Sequence, residues 1–309
     1  MLRHLVAGLL AVGLCGFNLP AGAELTAAAK TELQAAQQAA VSALQKGPQD
    51  IKFLDQAVLK LPAGYGYIPN PQAARLMRAL GNSVDDSFLG LVVHQDSQHT
   101  WMMTVDYQKS GYIKDDDAKH WKVDELLQNL KDGTEEENKQ RASMGIPEME
   151  ITGWMQEPKY TEASHQLIWS IKAHDKGTPA DDINNINYNT YVLGREGYIS
   201  MDLITDPAGV QQDSVAARTL LDDLSFNSGK RYQDFDSSTD KVAEYGLAAL
   251  IGGVALKKLG LFALAAAFFI KIWKLIAIAA FGAAAGFKKY FKKKKAELTP
   301  NPPGGNVSP

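Results

Sequence analysis

The spacing of apolar residues changes repeatedly along this chain, and each change predicts an element. Leu5–Phe17 is an apolar run behind the short polar start Arg3-His4, and the small residues Ala21-Gly22-Ala23 follow it. That pattern predicts a secretory signal peptide over 1–23, with the mature chain starting at Glu24. Glu24–Lys46, rich in Ala and Gln, predicts a helix with Thr26 as cap and Gly47-Pro48 as stop. Alternation over Ile51–Leu61 predicts a strand or hairpin. Asn70-Pro71 predicts a helix start, with Asn as cap and Pro in the first turn, and Gly81 an end after Leu80. Phe88–His94 and Trp101–Tyr107 read as paired strands. Two helices are predicted next: Val123–Leu130, ending at Asp132-Gly133, and Thr134–Met144, where Thr134 and Glu137 have capping-box spacing and Gly145 closes the helix. Alternation returns in Gln166–His174, Ile186–Leu193 and Tyr198–Thr205, the last two joined by the tight turn Gly194–Gly197. Asp206-Pro207 opens a last helix, Ala208–Asp223.

Strands and helices in blocks, with neighbouring hairpins, predict an exported α+β domain over 24–226, with a mainly antiparallel sheet and flanking helices. A polar linker, 227–241, is expected to follow. Beyond it, Val242–Phe287 holds three apolar blocks, Tyr245–Leu256, Leu259–Ile270 and Leu275–Phe287, separated by lysines. None reaches the ~20 residues needed to cross a bilayer. A crossing must therefore include lysines, at about 2.5–3.5 kcal/mol each near the middle and less where they snorkel.

The expected C-terminal transmembrane helix is Leu259–Gly286, with Lys271 and Lys274 three apart on one face and Lys257 near the same stripe. That stripe either snorkels to the headgroups or faces a partner helix, a second copy or a water-filled crevice. Six lysines, Lys288, Lys289 and Lys292–Lys295, mark a flank that stays cytoplasmic. The expected layout is thus a single-pass protein of the inner membrane. It has an anchor region, 242–290, and a cytoplasmic tail, 291–309, that is basic and then rich in Pro and Gly.

Charge sharpens this layout. The net charge of -3 over 309 residues conceals 21 basic against 33 acidic side chains in 24–241, and 10 against 2 in 242–309. An acidic body of this kind excludes nucleic acid as a partner, since binding phosphates takes clustered cations. The single cysteine, Cys15, lies in the signal segment, so no disulfide or thiolate metal site is expected in the mature chain.

Candidate chemistry is thin. No Gly-x-Ser-x-Gly, His-Glu-x-x-His, phosphate loop or dinucleotide fingerprint occurs, so no catalytic residue, cofactor or metal ligand is assigned. His94, His99, His120, His165 and His174 lack the spacing of a helical metal pair and read as surface or structural. Asp115-Asp116-Asp117 is the sharpest acidic cluster. It lacks the alternating ligands and glycine of a calcium loop and reads as the cap or solvated turn before a helix. Arg195, at a glycine-bounded hairpin tip, is either exposed for contact or paired with an acid; pairing is the simpler reading. Asp115, Asp116, Asp117 and Arg195 form the candidate functional surface.

Several segments carry a resemblance. They are Gly111–Ala118, Thr152-Gly153-Trp154, Asn187-Tyr188-Asn189 with Val192–Arg195, Arg231-Tyr232 with Asp234-Phe235, and Tyr245–Leu250. In this order they resemble the bacterial membrane-anchored family called domain of unknown function 2167, over about residues 40–290. The resemblance implies an exported domain with a C-terminal anchor and implies no activity. The expected function is a membrane-anchored envelope protein that binds an envelope component. Expected partners are membrane lipid and an envelope protein or a second copy. Two alternatives stand beside it: a metal-dependent enzyme or sensor using Asp115–Asp117 with histidines, and a membrane assembly through Lys271 and Lys274.

Overall fold

Eight strands form one antiparallel sheet, and three more form a small sheet packed on part of it. The computed structural model describes residues 27–252 apart from 81, 83, 97, 98, 100, 144–147, 180, 182, 184 and 185. The predicted signal peptide, the span Leu259–Gly286 with Lys271 and Lys274, and the tail lie outside the described residues. Among the described residues no helix is long and apolar enough to cross a membrane.

The chain begins with α1 (Ala27–Ala43), β1 (Gln45–Lys46), β2 (Gln49–Phe53), β3 (Ala57–Leu61) and β4 (Tyr65–Pro69). Next come α2 (Gln72–Ala79), β5 (Phe88–His94), β6 (Met102–Gln108) and α3 (Val123–Ser143). The second half holds β7 (Met149–Thr161), β8 (Gln166–Asp175), β9 (Ile186–Leu193), β10 (Tyr198–Thr205), α4 (Val210–Asp222), β11 (Leu224–Phe226) and the short α5 (Ala249–Gly252). The large sheet runs β1-β4-β5-β6-β10-β9-β8-β7 and the small one β11-β3-β2. The protein is α+β, as the alternating strands predicted.

Period-two patterning explains the layers. In β6, Met103, Val105 and Tyr107 point to one face; in β10, Ile199, Met201 and Leu203 do the same. They meet Ile51, Phe53, Leu59 and Leu61 of the small sheet and Ala217, Leu220 and Leu221 of α4 in the principal core. The opposite face of the large sheet has two separate covers. Ala36, Ala40, Leu76 and Met77 of α1 and α2 pack on Ile68, Leu91, Val93 and Met102. Ile113, Leu126, Tyr232, Leu247 and Ile251 pack on Leu167, Trp169 and Leu193.

Several predictions need correction. One helix, α3, replaces the two expected around Gly133. A helical glycine costs only about 1 kcal/mol against Ala, and no proline forces a break there. Asn70 does not cap α2: its side-chain amide donates to the Phe88 carbonyl at 2.9 Å, its backbone N–H donates to the Leu89 carbonyl at 3.0 Å, and Pro71 takes the cap position. Strands β4 and β7 carry Gly66, Pro69, Gly153 and Pro158, and no strand was predicted over either. β7 lies at the edge of the large sheet and tolerates its Gly and Pro through three register shifts against β8. Residues 227–241, expected as a linker, run along the domain and bond to it.

At the β9–β10 turn, a Cβ on Gly197 would collide with the Gln108 carbonyl oxygen. Gly153 in β7 has nothing within 4 Å of its would-be Cβ. Gly197→Ala is therefore expected to lose about 3 kcal/mol in denaturant unfolding of the full-length protein. Gly153→Ala should change stability by no more than about 1 kcal/mol. Equal effects of the two substitutions would contradict this packing.

Candidate functional site

The four residues singled out from the sequence belong to two neighbourhoods, and both hold the segment after β11. Arg195 grips Asp240 with two charge-assisted bonds, Nε to Oδ2 at 2.6 Å and Nη2 to Oδ1 at 2.8 Å, and its Nη1 reaches the Gly229 carbonyl at 3.3 Å. This bidentate geometry holds the Asp240 carboxyl well below the usual carboxylate range. Asp117 accepts the backbone N–H groups of Leu247 and Ala248 at 3.2 and 2.9 Å, just before α5. Asp116 is exposed at the start of a 3-10 turn, Asp116–His120. Tyr112 and Val242 form a parallel bridge through two 2.8 Å backbone bonds. Gly111 permits this approach: its φ is +93°, and a Cβ there would sit 2.7 Å from the Lys241 carbonyl oxygen.

Asp115 anchors a half-buried aromatic cluster around the buried Tyr232. The Tyr160 hydroxyl donates to Asp115 at 2.7 Å and lies 3.2 Å from His165 Nδ1. The Tyr232 ring lies 4.2 Å from that of His165 and 4.4 Å from that of Tyr112, which stacks on Phe235 at 3.9 Å. The Tyr232 hydroxyl donates to the Ile113 carbonyl at 2.8 Å. Burial and the Asp115 carboxylate push the Tyr160 phenol far up, and burial lowers the His165 pKa against the pull of Asp115 and Glu162. The phenol stays protonated and the imidazole neutral at neutral pH. No nucleophile or charged acid–base pair results; the cluster fastens the chain.

A third location was not visible in the sequence. Between the two covers of the large sheet lies a pocket of about 470 Å³, floored by β6, β9 and β10. Asp106 of β6 pairs opposite Ser200 of β10, and Asp202 pairs opposite Thr104, so both carboxylates rise from one face two positions apart. Asp202 Oδ1 accepts the Thr190 N–H at 3.2 Å, and Asp106 Oδ1 lies 3.4 Å from the Ser87 hydroxyl. No Lys, Arg or His lines the pocket among the described residues. Burial first, and the Asp106 charge second, push the Asp202 pKa up to about 7. Burial and then Asp85 push Asp106 up to about 6. The only sequence signal was an acid inside each of two otherwise strand-like runs. Their register, across ninety-odd residues, had no local mark.

A smaller pocket of about 330 Å³ holds His94 and His99, with ring centroids 4.1 Å apart, and the Asp213 carboxylate 3.9 Å from His99 Nδ1. His174 is buried and its Nδ1 bonds locally to the Asp175 carbonyl at 2.9 Å. Among the described residues no group of three or more His, Cys, Asp or Glu side chains is arranged to hold a metal ion.

The family described as "Protein of unknown function (DUF2167)" matches residues 45–282. No curated protein matches the chain. Among solved structures, "Solution Structure of Cyanobacterial PsbP (CyanoP) from Synechocystis sp. PCC 6803" is similar over 60% of this chain and 93% of that one. The identity is 12% and the TM-score 0.36, too low to carry a functional argument.

The acid pair has a consequence for stability. Carboxyl pKa values raised on folding mean that the folded state holds extra protons, so stability falls as pH rises from about 4 through 6 and 7. Asp106→Asn with Asp202→Asn removes that penalty. The double variant should gain Tm relative to wild type at pH 8, by about 2–4 °C or more, and little at pH 4. Circular dichroism melts at both pH values check this, and an equal change at both would refute it.

Proposed function

The chain belongs to the DUF2167 family, and we propose that it is an exported, membrane-anchored binding module whose C-terminal stem is fixed to the domain rather than hanging as a loose tether. One observation carries this reading: three segments far apart in sequence, 111–118, the β9–β10 turn and 231–250, converge on the stem. Gly111–Ala118 supplies Tyr112, Asp115 and Asp117. The hairpin tip supplies Arg195, and residues 231–250 supply Tyr232, Phe235 and the amides that Asp117 accepts. Arg195, Asp115 and Asp117 spend their polar atoms on holding the chain.

The expected span starts seven residues beyond Gly252, the last described residue. Fully extended, that connection reaches at most about 25 Å. The basic cluster 288–295 supports a cytoplasmic end, and the signal segment supports export of the domain. A fixed stem suits a module that meets its envelope partner close to the lipid surface.

Topology reporters test the layout. Alkaline phosphatase joined after residue 226 should be active, a fluorescent protein at the C-terminus should be bright, and the full-length protein should resist carbonate extraction. Recovery of the intact mature protein in the soluble fraction would refute the reading. Docking is tested separately by hydrogen exchange on the detergent-solubilised protein. Arg195→Ala should speed exchange of the amides of 236–248 by at least about tenfold while β6 and β10 stay protected. Unchanged exchange would show that Arg195 does not hold the stem.

A further inference from the structure

The pocket between the two covers has the makings of a binding site unrelated to the stem. It is a half-open depression over the middle of the sheet, and its floor is anionic with no lining cation among the described residues. One oxygen of each carboxylate has a donor near it, the Thr190 amide for Asp202 and the Ser87 hydroxyl for Asp106. Asp106 has a second donor, the Thr104 hydroxyl, whereas the second oxygen of Asp202 has no protein hydrogen-bond donor among the described residues.

Ser200 is an independent sign. It stands on β10 between Tyr198 and Asp202, on the face that floors the pocket, and is only 6% exposed. Its hydroxyl has no hydrogen-bond partner among the described residues. The Ser200 hydroxyl opens to the pocket, so a ligand entering there meets a free donor and acceptor. Such groups collected on one cavity wall are met by a ligand that brings donors and positive charge. The remaining walls fit an organic body: Met77 and Phe88 are apolar, and Tyr191 and Tyr198 add aromatic surface.

We propose that this pocket binds a small organic cation, a primary or secondary ammonium group on an apolar or hydroxylated body, with the ammonium between Asp106 and Asp202 and hydrogen-bonded to Ser200. A bare divalent ion fits less well: Asp85 also lines the pocket, but its Oδ1 accepts from the Ser87 amide and hydroxyl, and among the described residues no three such side chains are grouped to hold a metal. The raised pKa values of the two acids agree with a site whose countercharge comes from outside.

Calorimetric titration of the full-length protein in detergent with n-butylammonium tests this, with neutral n-butanol and Mg²⁺ as comparisons. Wild type should bind the ammonium at millimolar Kd or tighter and should not bind the alcohol. The variant carrying Asp106→Asn and Asp202→Asn should bind at least about tenfold more weakly. Both amides keep the shape of the native side chains, and an unchanged far-ultraviolet spectrum confirms folding. Should that variant fail to fold, Ser200→Ala, which removes one hydroxyl and no charge, is expected to weaken binding by about threefold or more. Failure of the folded wild type to bind, equal affinity in wild type and variants, or displacement of the ammonium by Mg²⁺ would each overturn the proposal.

Discussion

The pairing of β6 with β10 at the middle of the large sheet is the constraint on which the rest of this fold depends. Seven residue pairs join the two strands, from Tyr198 opposite Gln108 to Ile204 opposite Met102. On one side this ribbon presents Met103, Val105, Ile199, Met201 and Leu203, against which the small sheet and α4 close. Burying each of these side chains contributes about 1.5–3 kcal/mol, and that apolar side fixes the register, since a slip of one residue would turn every side chain over. The register then dictates the other side without further choice. Once Met201 faces the core, Ser200 and Asp202 must face away from it.

That other side is where two covers approach and do not meet. The N-terminal helices reach as far as Met102, and the C-terminal segment reaches Leu193 and Trp169. The strip between them holds Thr104, Asp106, Tyr198, Ser200 and Asp202. The pocket is therefore a product of how far each cover extends. Its acidity is tolerated because the principal core on the reverse side supplies the stability.

The sequence revealed elements wherever period and punctuation agreed. β5, β9 and β10 have the predicted limits because Phe88–His94, Ile186–Leu193 and Tyr198–Thr205 alternate or stay apolar between clear turns. It misled where a local signal was overruled by packing: Gly133 inside α3, and Asn70 drawn from its cap position to the Phe88 carbonyl. Arg195 was legible as half of an ion pair, but its partner Asp240 lies 45 positions later, in a stretch whose polarity suggested solvent. The Asp106–Asp202 pair was hidden for a related reason. Local composition reports which face a residue occupies, and only the register between distant strands reports what stands beside it.

The outer margin of the large sheet has a meaning of its own. β7 ends the sheet, and a thirteen-residue strand with one edge free of a strand partner is ordinarily a template for further strands. Here Pro158 lacks an amide to offer, Glu157 and Lys159 flank it with charge, and the three register shifts keep the backbone from lying flat. These irregularities guard against self-templated growth. A domain with so much β-structure can thus be kept at high local density without neighbouring molecules zipping together along that margin.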